Sequence, residues 1–297
     1  MIDMESIDQI ILGDNQFFGV NHMSQDKGKI TEEKFRDINE IKKLLYIALD
    51  NGVKGVMFST HPAIYQITDV IRSDDVLKKE LNIYVNLPYI VKYVSMVNEM
   101  GLYRTLNTIL KGQSIPQRIR YILSSLYSVS TNDYMGIINR LIDAEMNPFH
   151  NLNVRAVFLH NVLADLALGY KMADVVKNFD NYIKDKYDCQ PAYGTLNFPA
   201  FANFLNQCGI EKSLIMTSVN KKGFLMNPSR EASELAIQNS SHTVLAMATL
   251  ASGSIPPEEA YEYLFSLENI KHVVVGLSSR KHAEQTFKLI RSHMKAY

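Results

Sequence analysis

Short runs of apolar residues alternate along this chain with longer segments in which apolar residues recur at every third or fourth position. The short runs are dense in Val, Ile, Leu and Met, as expected of parallel strands that helices cover on the outside. The longer segments have the period of amphipathic helices. We predict eight strands, at residues 9–12, 53–58, 83–87, 154–159, 191–195, 213–219, 243–250 and 272–275.

A helical pattern follows each predicted strand. The first helix begins near Thr31 and ends at Asn51-Gly52, where glycine favours a helix end. Another helix opens with prolines at 256–257, which the first turn of a helix tolerates. The remaining helices are predicted at residues 65–81, after Pro88, between strand four and Lys186, at 198–208, at 229–238 and from Arg280 onward.

A strand and then a helix, repeated eight times in 297 residues, predicts a closed (β/α)8 barrel, the TIM barrel, as a single domain over residues 1–297. The spacing is interrupted by residues 94–153, which have helical patterns and no convincing strand. We expect a helical insertion there, between strands three and four. Two roles for this insertion stay open: a roof over the site and a contact in a homo-oligomer.

Charge and cysteine content narrow the classes of partner. Lys and Arg total 31, as do Asp and Glu, so the zero net charge predicts binding to neither nucleic acid nor anionic lipid. Cys189 and Cys208 form no CxxC pair, which fits a reducing compartment. Neither a signal-peptide pattern nor an apolar run of about 20 residues is present. We expect a soluble cytoplasmic protein that binds a small molecule.

The residues that follow the strands of a TIM barrel converge on one pocket. Asp14 follows strand one and precedes Phe17-Phe18, and a carboxylate among apolar neighbours needs a partner or a task. His160 ends strand four, and its imidazole suits a general acid or a hydrogen-bond donor near neutral pH. Further catalytic candidates after strands two and three are His61, Tyr89 and Lys92.

The loops after strands seven and eight are the usual phosphate-binding part of this barrel. Residues 276–280 join strand eight to a helix, so backbone N–H groups, two serine hydroxyls and a guanidinium favour an anion there. This pattern predicts a small ligand that carries phosphate. The candidate binding residues after strands five to eight are Asn197, Asn220, Gly253, Gly276, Ser278, Ser279 and Arg280.

Two other chemistries have little support in the sequence. His22, His61, His160 and Asp14 are not arranged as HxH or HExxH, so we predict no metal site. A serine hydrolase would need a GxSxG turn, which the sequence lacks.

Five segments occur in the order in which a known family has them. Residues 154–169 contain Phe158-Leu159-His160, and residues 191–200 read PAYGTLNFPA. Residues 244–253 read VLAMATLASG, residues 273–287 read VVVGLSSRKHAEQTF, and the first strand begins ILGDNQFFG. Together they resemble the aldo-keto reductase superfamily of NADP-linked (β/α)8 enzymes. The resemblance covers strands one, two and four to eight, and the insertion lies outside it.

The resemblance implies a role for several residues. His160 would help polarise a substrate carbonyl, and Asn197 would lie near the nicotinamide amide. The residues around the adenosine phosphate and base of NADP would be Ser278, Ser279, Arg280 and Gln285.

The reaction centre departs from the family pattern. The catalytic aspartate of the family falls on Ser59, its lysine falls close to Asn86, and its tyrosine has only Tyr65 nearby, one place late. The serine before the amide-binding asparagine, the strand-six glutamine and the stacking tyrosine fall on Leu196, Met216 and Val219. The resemblance therefore implies a retained scaffold and phosphate site with a rebuilt reaction centre.

Three functions follow as hypotheses. The first is an NADP(H)-dependent oxidoreductase acting on a small carbonyl or alcohol compound, with His61 or Tyr89 as the replacement proton donor. The second is a non-redox lyase, isomerase or hydrolase acting on a small phosphorylated metabolite, with Asp14 as the acid–base group and His61, Lys92 and His160 around it. The third is a non-catalytic protein that binds a small molecule.

Overall fold

The computed structural model describes residues 6–19, 33–89, 134–277 and 279–294. Of the predicted site residues, Lys92 and Ser278 lie outside the described residues, as do His22 and residues 94–133 of the predicted insertion. The described part that precedes strand four contains a helix, Tyr134–Met146, and a short 3-10 helix, Asn147–Phe149.

Eight parallel strands close into a barrel in chain order, and the first strand pairs with the last through Ile10 and Val273. The prediction of a closed (β/α)8 barrel is therefore confirmed. The strands are β1 Ile10–Leu12, β2 Gly55–Ser59, β3 Asn82–Leu87, β4 Val154–Leu159, β5 Gln190–Thr195, β6 Leu214–Ser218, β7 Thr243–Met247 and β8 Ile270–Val275.

Side chains along each strand alternate between two apolar layers, because successive residues of a strand point to opposite faces. Met57, Tyr84 and Phe158 belong to a small cluster without helix residues, which fills the barrel interior. Their strand neighbours pack with the helices in a larger outer cluster. The same alternation places Ser59 and Asn86 on the interior face, at the carboxyl ends of their strands. We call that end of the barrel the mouth and the opposite end the floor.

Helices surround the barrel, and among those of the described residues none has the length and apolar composition needed to cross a bilayer. The apolar faces of the helices are buried against the strands. The helix Ile64–Ser73, for example, buries Ile64, Ile67 and Ile71. The α-helices are α1 Ile38–Asp50, α2 Ile64–Ser73, α3 Asp75–Glu80, α4 Tyr134–Met146, α5 Asn161–Gly169, α6 Ala173–Tyr187, α7 Phe198–Gln207, α8 Arg230–Gln238, α9 Pro257–Ser266 and α10 Arg280–His293.

Three predicted helices are interrupted. The helix expected from Thr31 is broken before α1, whose amino terminus is capped by Asp37. The segment 65–81 forms two helices because the Asp74 carboxylate accepts hydrogen bonds from the N–H groups of Val76 and Leu77 and starts a new helix. The segment after β4 is divided at Lys171, whose φ of 54° is left-handed. Apolar periodicity continues across all three breaks, which is why the sequence pattern did not reveal them.

A polar cluster closes the barrel floor. The Asp8 carboxylate accepts hydrogen bonds from the Tyr84 hydroxyl at 2.7 Å and from the Asn82 amide at 2.9 Å. Tyr84 is fully buried inside the barrel, and burial together with the charge of Asp8 raises the pKa of its phenol. His272 donates from Nδ1 to the backbone oxygen of Asp8 at 3.2 Å. This cluster joins β3 and β8 to the residue that leads into β1.

Candidate functional site

Asp14 places a buried carboxyl at the mouth. It follows β1 and is only 4% exposed. One carboxylate oxygen accepts a hydrogen bond from the Ser59 N–H at 2.5 Å, and the other lies 3.4 Å from the Ser59 hydroxyl. Burial raises the pKa of Asp14 to about 6, although the hydrogen bonds from Ser59 act in the opposite direction. A proton is therefore present on part of the Asp14 population near neutral pH.

Two aromatic residues predicted for the site lie beside this carboxyl. The His61 ring stacks on Phe18 with 4.1 Å between centroids and meets Tyr89 edge-on at 5.1 Å. His61 Nδ1 accepts a hydrogen bond from the Ala63 N–H at 3.2 Å. Burial, with the charge of Asp14, raises the pKa of Tyr89. The structure thus brings Asp14, His61 and Tyr89 together at the ends of β1, β2 and β3.

His160 lies at the end of β4 and caps α5. Its Nδ1 accepts a hydrogen bond from the Val162 N–H at 3.3 Å. An imidazole nitrogen that accepts carries no proton, so the neutral ring holds its proton on Nε2. Burial lowers the pKa of His160 and favours this neutral form. His160 therefore has the tautomer needed to donate a hydrogen bond from Nε2.

A glycine in the neighbouring strand lets α5 approach the barrel. A Cβ atom at Gly194 would lie 3.0 Å from the backbone nitrogen of Asn161, the first residue of α5. Backbone atoms cannot move aside as a flexible side chain can. The position of His160 therefore depends on the absence of a side chain in β5.

Asp165, which the sequence analysis did not single out, connects α5 to the loop after β5. Its carboxylate accepts hydrogen bonds from the Thr195 hydroxyl at 2.5 Å and from the Leu196 N–H at 3.0 Å. The Thr195 oxygen also accepts from the Asn197 N–H at 3.0 Å, and the Asn197 side chain accepts from the Ala200 N–H. The predicted nicotinamide residue Asn197 is thus held in place and caps α7. Burial raises the pKa of Asp165.

The loop after β6 is closed by Asn220. This fully buried side chain donates to the backbone oxygen of Phe224 and accepts from its N–H, both at 2.8 Å. Both ends of the amide are therefore used inside the loop. This geometry gives Asn220 a structural role, and its contact with a cofactor stays a prediction.

The loop after β7 has an unusual backbone. Ala248, Ala251 and Ser252 have left-handed φ values of 53°, 43° and 58°, which non-glycine residues rarely adopt. Gly253, at a φ of 86°, meets no such steric cost. The left-handed Ala248 ends β7 at Met247, three residues before the predicted end. Strained backbone of this kind is concentrated in functional regions of proteins.

The predicted anion site lies where β8 leads into α10. The Ser279 hydroxyl accepts from the His282 N–H and caps this helix. Arg280 is exposed, and its guanidinium lies 3.2 Å from Glu284 and 3.8 Å from Asp50. A cleft of about 250 Å³ separates α1 from this turn, and its lining includes Ser279, Arg280, Lys34 and Lys43. Gln285 is exposed on α10, and Gly276 is exposed just after β8.

Three buried polar atoms near the mouth have no hydrogen-bond partner among the described residues: Gln16 Oε1, Asn86 Oδ1 and Ser218 Oγ. The Gln16 amide donates from Nε2 to the Gly13 oxygen, which directs Oε1 towards Gly276, where a Cβ would lie 3.0 Å away. Nothing in the sequence around Ser218 distinguishes it from an ordinary strand residue. In the part of the chain that is described, no three His, Cys, Asp or Glu side chains are placed to hold a metal ion.

Comparisons with known proteins agree with this architecture. No protein-family model matches the sequence, and no curated protein matches it significantly. Among solved structures, a provisionally assigned aldo-keto reductase from Pseudomonas aeruginosa superposes with a TM-score of 0.61 at 13% identity, over 97% of this chain and 91% of that chain. The chain has the fold of the aldo-keto reductases.

Two further solved structures support the same conclusion. MGS-M4, an aldo-keto reductase from a deep-sea metagenome library of the Medee basin, has a TM-score of 0.53 at 11% identity, over 98% of this chain and 94% of that chain. The aldo-keto reductase AKR11C1 from Bacillus halodurans has a TM-score of 0.51 at 10% identity, over 86% of this chain and 83% of that chain. At these identities the likeness extends to the fold, so the chemistry has to be argued from the residues themselves.

Proposed function

We propose that this protein is an NADP(H)-dependent oxidoreductase that interconverts a small carbonyl compound and its alcohol. The observation that carries the proposal is the placement of His160 and of the buried Asp14 carboxyl at the mouth of a barrel with the aldo-keto reductase fold. The neutral His160 ring holds its proton on Nε2, and the carboxyl of Asp14 takes up a proton near neutral pH. Carbonyl reduction needs a group that polarises the carbonyl oxygen and a group that gives it a proton, and these two side chains can fill those roles.

The residues around the start of α10 fit a phosphate group. The first N–H groups of any α-helix have no partner within the helix and favour an anion. Ser279 and Arg280 stand at this point, and Lys34 and Lys43 line the same cleft. The carboxylates of Asp50 and Glu284 beside Arg280, and that of Glu40, which pairs with Lys43 in the same cleft, would have to give way to a phosphate for direct contact. Bound NADP(H) would supply or accept the hydride.

His160 would orient and polarise the substrate. Its Nε2–H would donate a hydrogen bond to the carbonyl oxygen, and burial keeps the ring neutral, so it serves as a donor without carrying a charge. Ser59 and Phe158 flank Asn86 on the two neighbouring strands, so β2 and β4 are about 10 Å apart.

A second candidate, non-redox acid–base chemistry on a phosphorylated small molecule, is favoured by one observation. Ser59 and Asn86 occupy the places where the resemblance expects an aspartate and a lysine, while the buried carboxyl comes from Asp14 on another strand. Such a carboxyl could remove and return a proton without any hydride transfer.

The experiment that separates the two candidates is a titration with NADPH and NADH, followed by cofactor fluorescence. We expect saturable binding of NADPH, and its oxidation in the presence of simple aldehydes or quinones. His160→Ala should lower kcat/KM about 100-fold, as expected for the loss of a catalytic hydrogen bond. His150→Ala is the matched control, because His150 is exposed and precedes the same strand at the floor. Absence of binding at millimolar NADPH and NADH would reject the oxidoreductase.

A further inference from the structure

Carbonyl reduction needs a proton for the substrate oxygen, and two tyrosines of the described residues, Tyr65 and Tyr89, are poorly placed to give one. Tyr65, the nearest match to the family tyrosine, is 44% exposed on α2, whose buried face is formed by other residues. Tyr89 lies at the mouth, but burial and the charge of Asp14 raise its pKa, which makes its phenol a weaker acid. No cation that would reverse this effect is recorded beside Tyr89 among the described residues.

The carboxyl of Asp14 occupies the end of a strand that is not its own. Ser59 ends β2, where the resemblance expects an aspartate, and its N–H receives the Asp14 carboxylate from β1 at 2.5 Å. An acidic group is therefore present over the end of β2 although the residue there is a serine. This carboxyl comes from β1 and not from β2, so its surroundings differ from those of an aspartate at the position of Ser59.

These surroundings suit a group that alternates between two protonation states. Asp14 is 4% exposed, and within the described residues no cation forms an ion pair with it that would disfavour the protonated form. The N–H and hydroxyl of Ser59 stabilise the carboxylate that remains once the proton has left. Burial outweighs these hydrogen bonds and raises the pKa of Asp14 to about 6, so both forms are populated near neutral pH.

We propose that Asp14 is the acid that protonates the substrate oxygen, and the base that removes this proton in the reverse direction. The proposal rests on the function proposed above. In reduction, the carbonyl carbon receives a hydride from the reduced nicotinamide while the C=O π bond breaks. The carbonyl oxygen forms an O–H bond with the proton from Asp14. The products are the alcohol, the oxidised nicotinamide and the Asp14 carboxylate, which regains its proton from water. His160 holds the oxygen through its Nε2–H throughout.

The test compares wild-type protein with Asp14→Asn, which keeps the size of the side chain and an oxygen that can accept from Ser59 but cannot titrate. Asp180→Asn is the matched control, because Asp180 is also buried, at 5% exposure, but pairs with Lys184 on α6, away from the mouth. Each variant is first titrated with NADPH by fluorescence. Single-turnover oxidation of the bound NADPH is then recorded from pH 5 to pH 9 with 4-nitrobenzaldehyde and with 9,10-phenanthrenequinone.

We expect all three proteins to bind NADPH with similar affinity. Asp14→Asn should be at least 100-fold slower in the single turnover at pH 6, within the range attributed to general acids. The wild-type and Asp180→Asn rates should fall about tenfold per pH unit above pH 6, since the reaction uses the protonated carboxyl. A second measurement, the carboxyl carbon shift of Asp14 in ¹³C-aspartate-labelled protein, should titrate near pH 6 and vanish in Asp14→Asn.

Three results would overturn the proposal. Asp14→Asn turning over within threefold of wild type would show that another group gives the proton. A wild-type rate that stays level between pH 5 and pH 8, or an Asp14 carbon that titrates near pH 4, would show that the carboxyl is already ionised when the reaction occurs. In each of these cases NADPH still binds and reacts, so the proposed oxidoreductase survives. Failure of wild-type protein to bind NADPH removes both proposals together.

Discussion

The two ends of β1 each carry an aspartate just outside the strand, and the two carboxyl groups have different surroundings. Asp8, at the floor, accepts hydrogen bonds from the Tyr84 hydroxyl and the Asn82 amide. Asp14, at the mouth, is more deeply buried. Among the described residues, Ser59 is the one other residue that donates hydrogen bonds to its carboxylate. The carboxylate of Asp8 therefore connects strands, whereas burial of Asp14 makes its ionised form unfavourable in free energy.

The largest expected effect concerns the charged form of Asp14. Its pKa is raised from 3.8 to about 6 in the folded protein, so folded Asp14 binds its proton more tightly than unfolded Asp14 does. Its contribution to stability is therefore complete below about pH 4 and is lost as the pH rises through 6, by about 3 kcal/mol. Asp14→Asn cannot ionise, so its free energy of unfolding relative to wild type should rise by most of that amount, about 2.5 kcal/mol, between pH 4 and pH 8.

Urea unfolding of both proteins at the two pH values measures this difference. Any constant effect of the amide cancels, because only the change with pH is compared. An Asp14→Asn minus wild-type difference that is the same at pH 4 and pH 8 would show that burial does not raise the pKa of Asp14.

A smaller effect is expected at the floor. Tyr84→Phe removes the 2.7 Å hydrogen bond to the Asp8 carboxylate and should lower the free energy of unfolding by about 2 kcal/mol. Binding of NADPH should not change. Tyr263→Phe is the matched control, since Tyr263 also donates to a carboxylate, that of Glu234, but is only partly buried. Chemical denaturation measures both free energies of unfolding. If the two substitutions lower them equally, the cluster at the floor contributes no more to stability than a hydrogen bond near the surface.

The smallest effect on stability is expected from Arg280→Ala. Both carboxylate partners of Arg280 are exposed, and exposed ion pairs contribute little, so the unfolding midpoint should stay within about 2 °C of wild type. If Arg280 binds the adenosine phosphate of NADP, the Kd for NADPH should rise about tenfold while the Kd for NADH stays the same. Equal weakening of both cofactors in fluorescence titrations would place Arg280 outside the phosphate site.

The barrel could be predicted from the sequence because each strand is a dense apolar run between two helical patterns. The predicted and observed bounds of β4 are identical, at Val154 and Leu159. The breaks at Asp74 and Lys171 could not be predicted in the same way, since they depend on a side-chain cap and on one left-handed residue within a continuous apolar period.

The candidate site could be predicted in part. The common location of Asp14, His61 and Tyr89 could be predicted because all three follow strands, and strand ends converge in a closed barrel; their roles in catalysis stay predictions. The tautomer of His160, the use of both ends of Asn220 and the contacts of Asp165 depend on backbone groups that only the register of the loops brings near. These contacts decide which polar residues serve the structure and which can serve chemistry.

The sealed floor has a kinetic consequence. With Tyr84 and Phe158 packed inside the barrel and Asp8 bonded across its lower end, reacting partners can reach the interior face only from the mouth. A ligand that is bound against this face would therefore have to leave by the way it came.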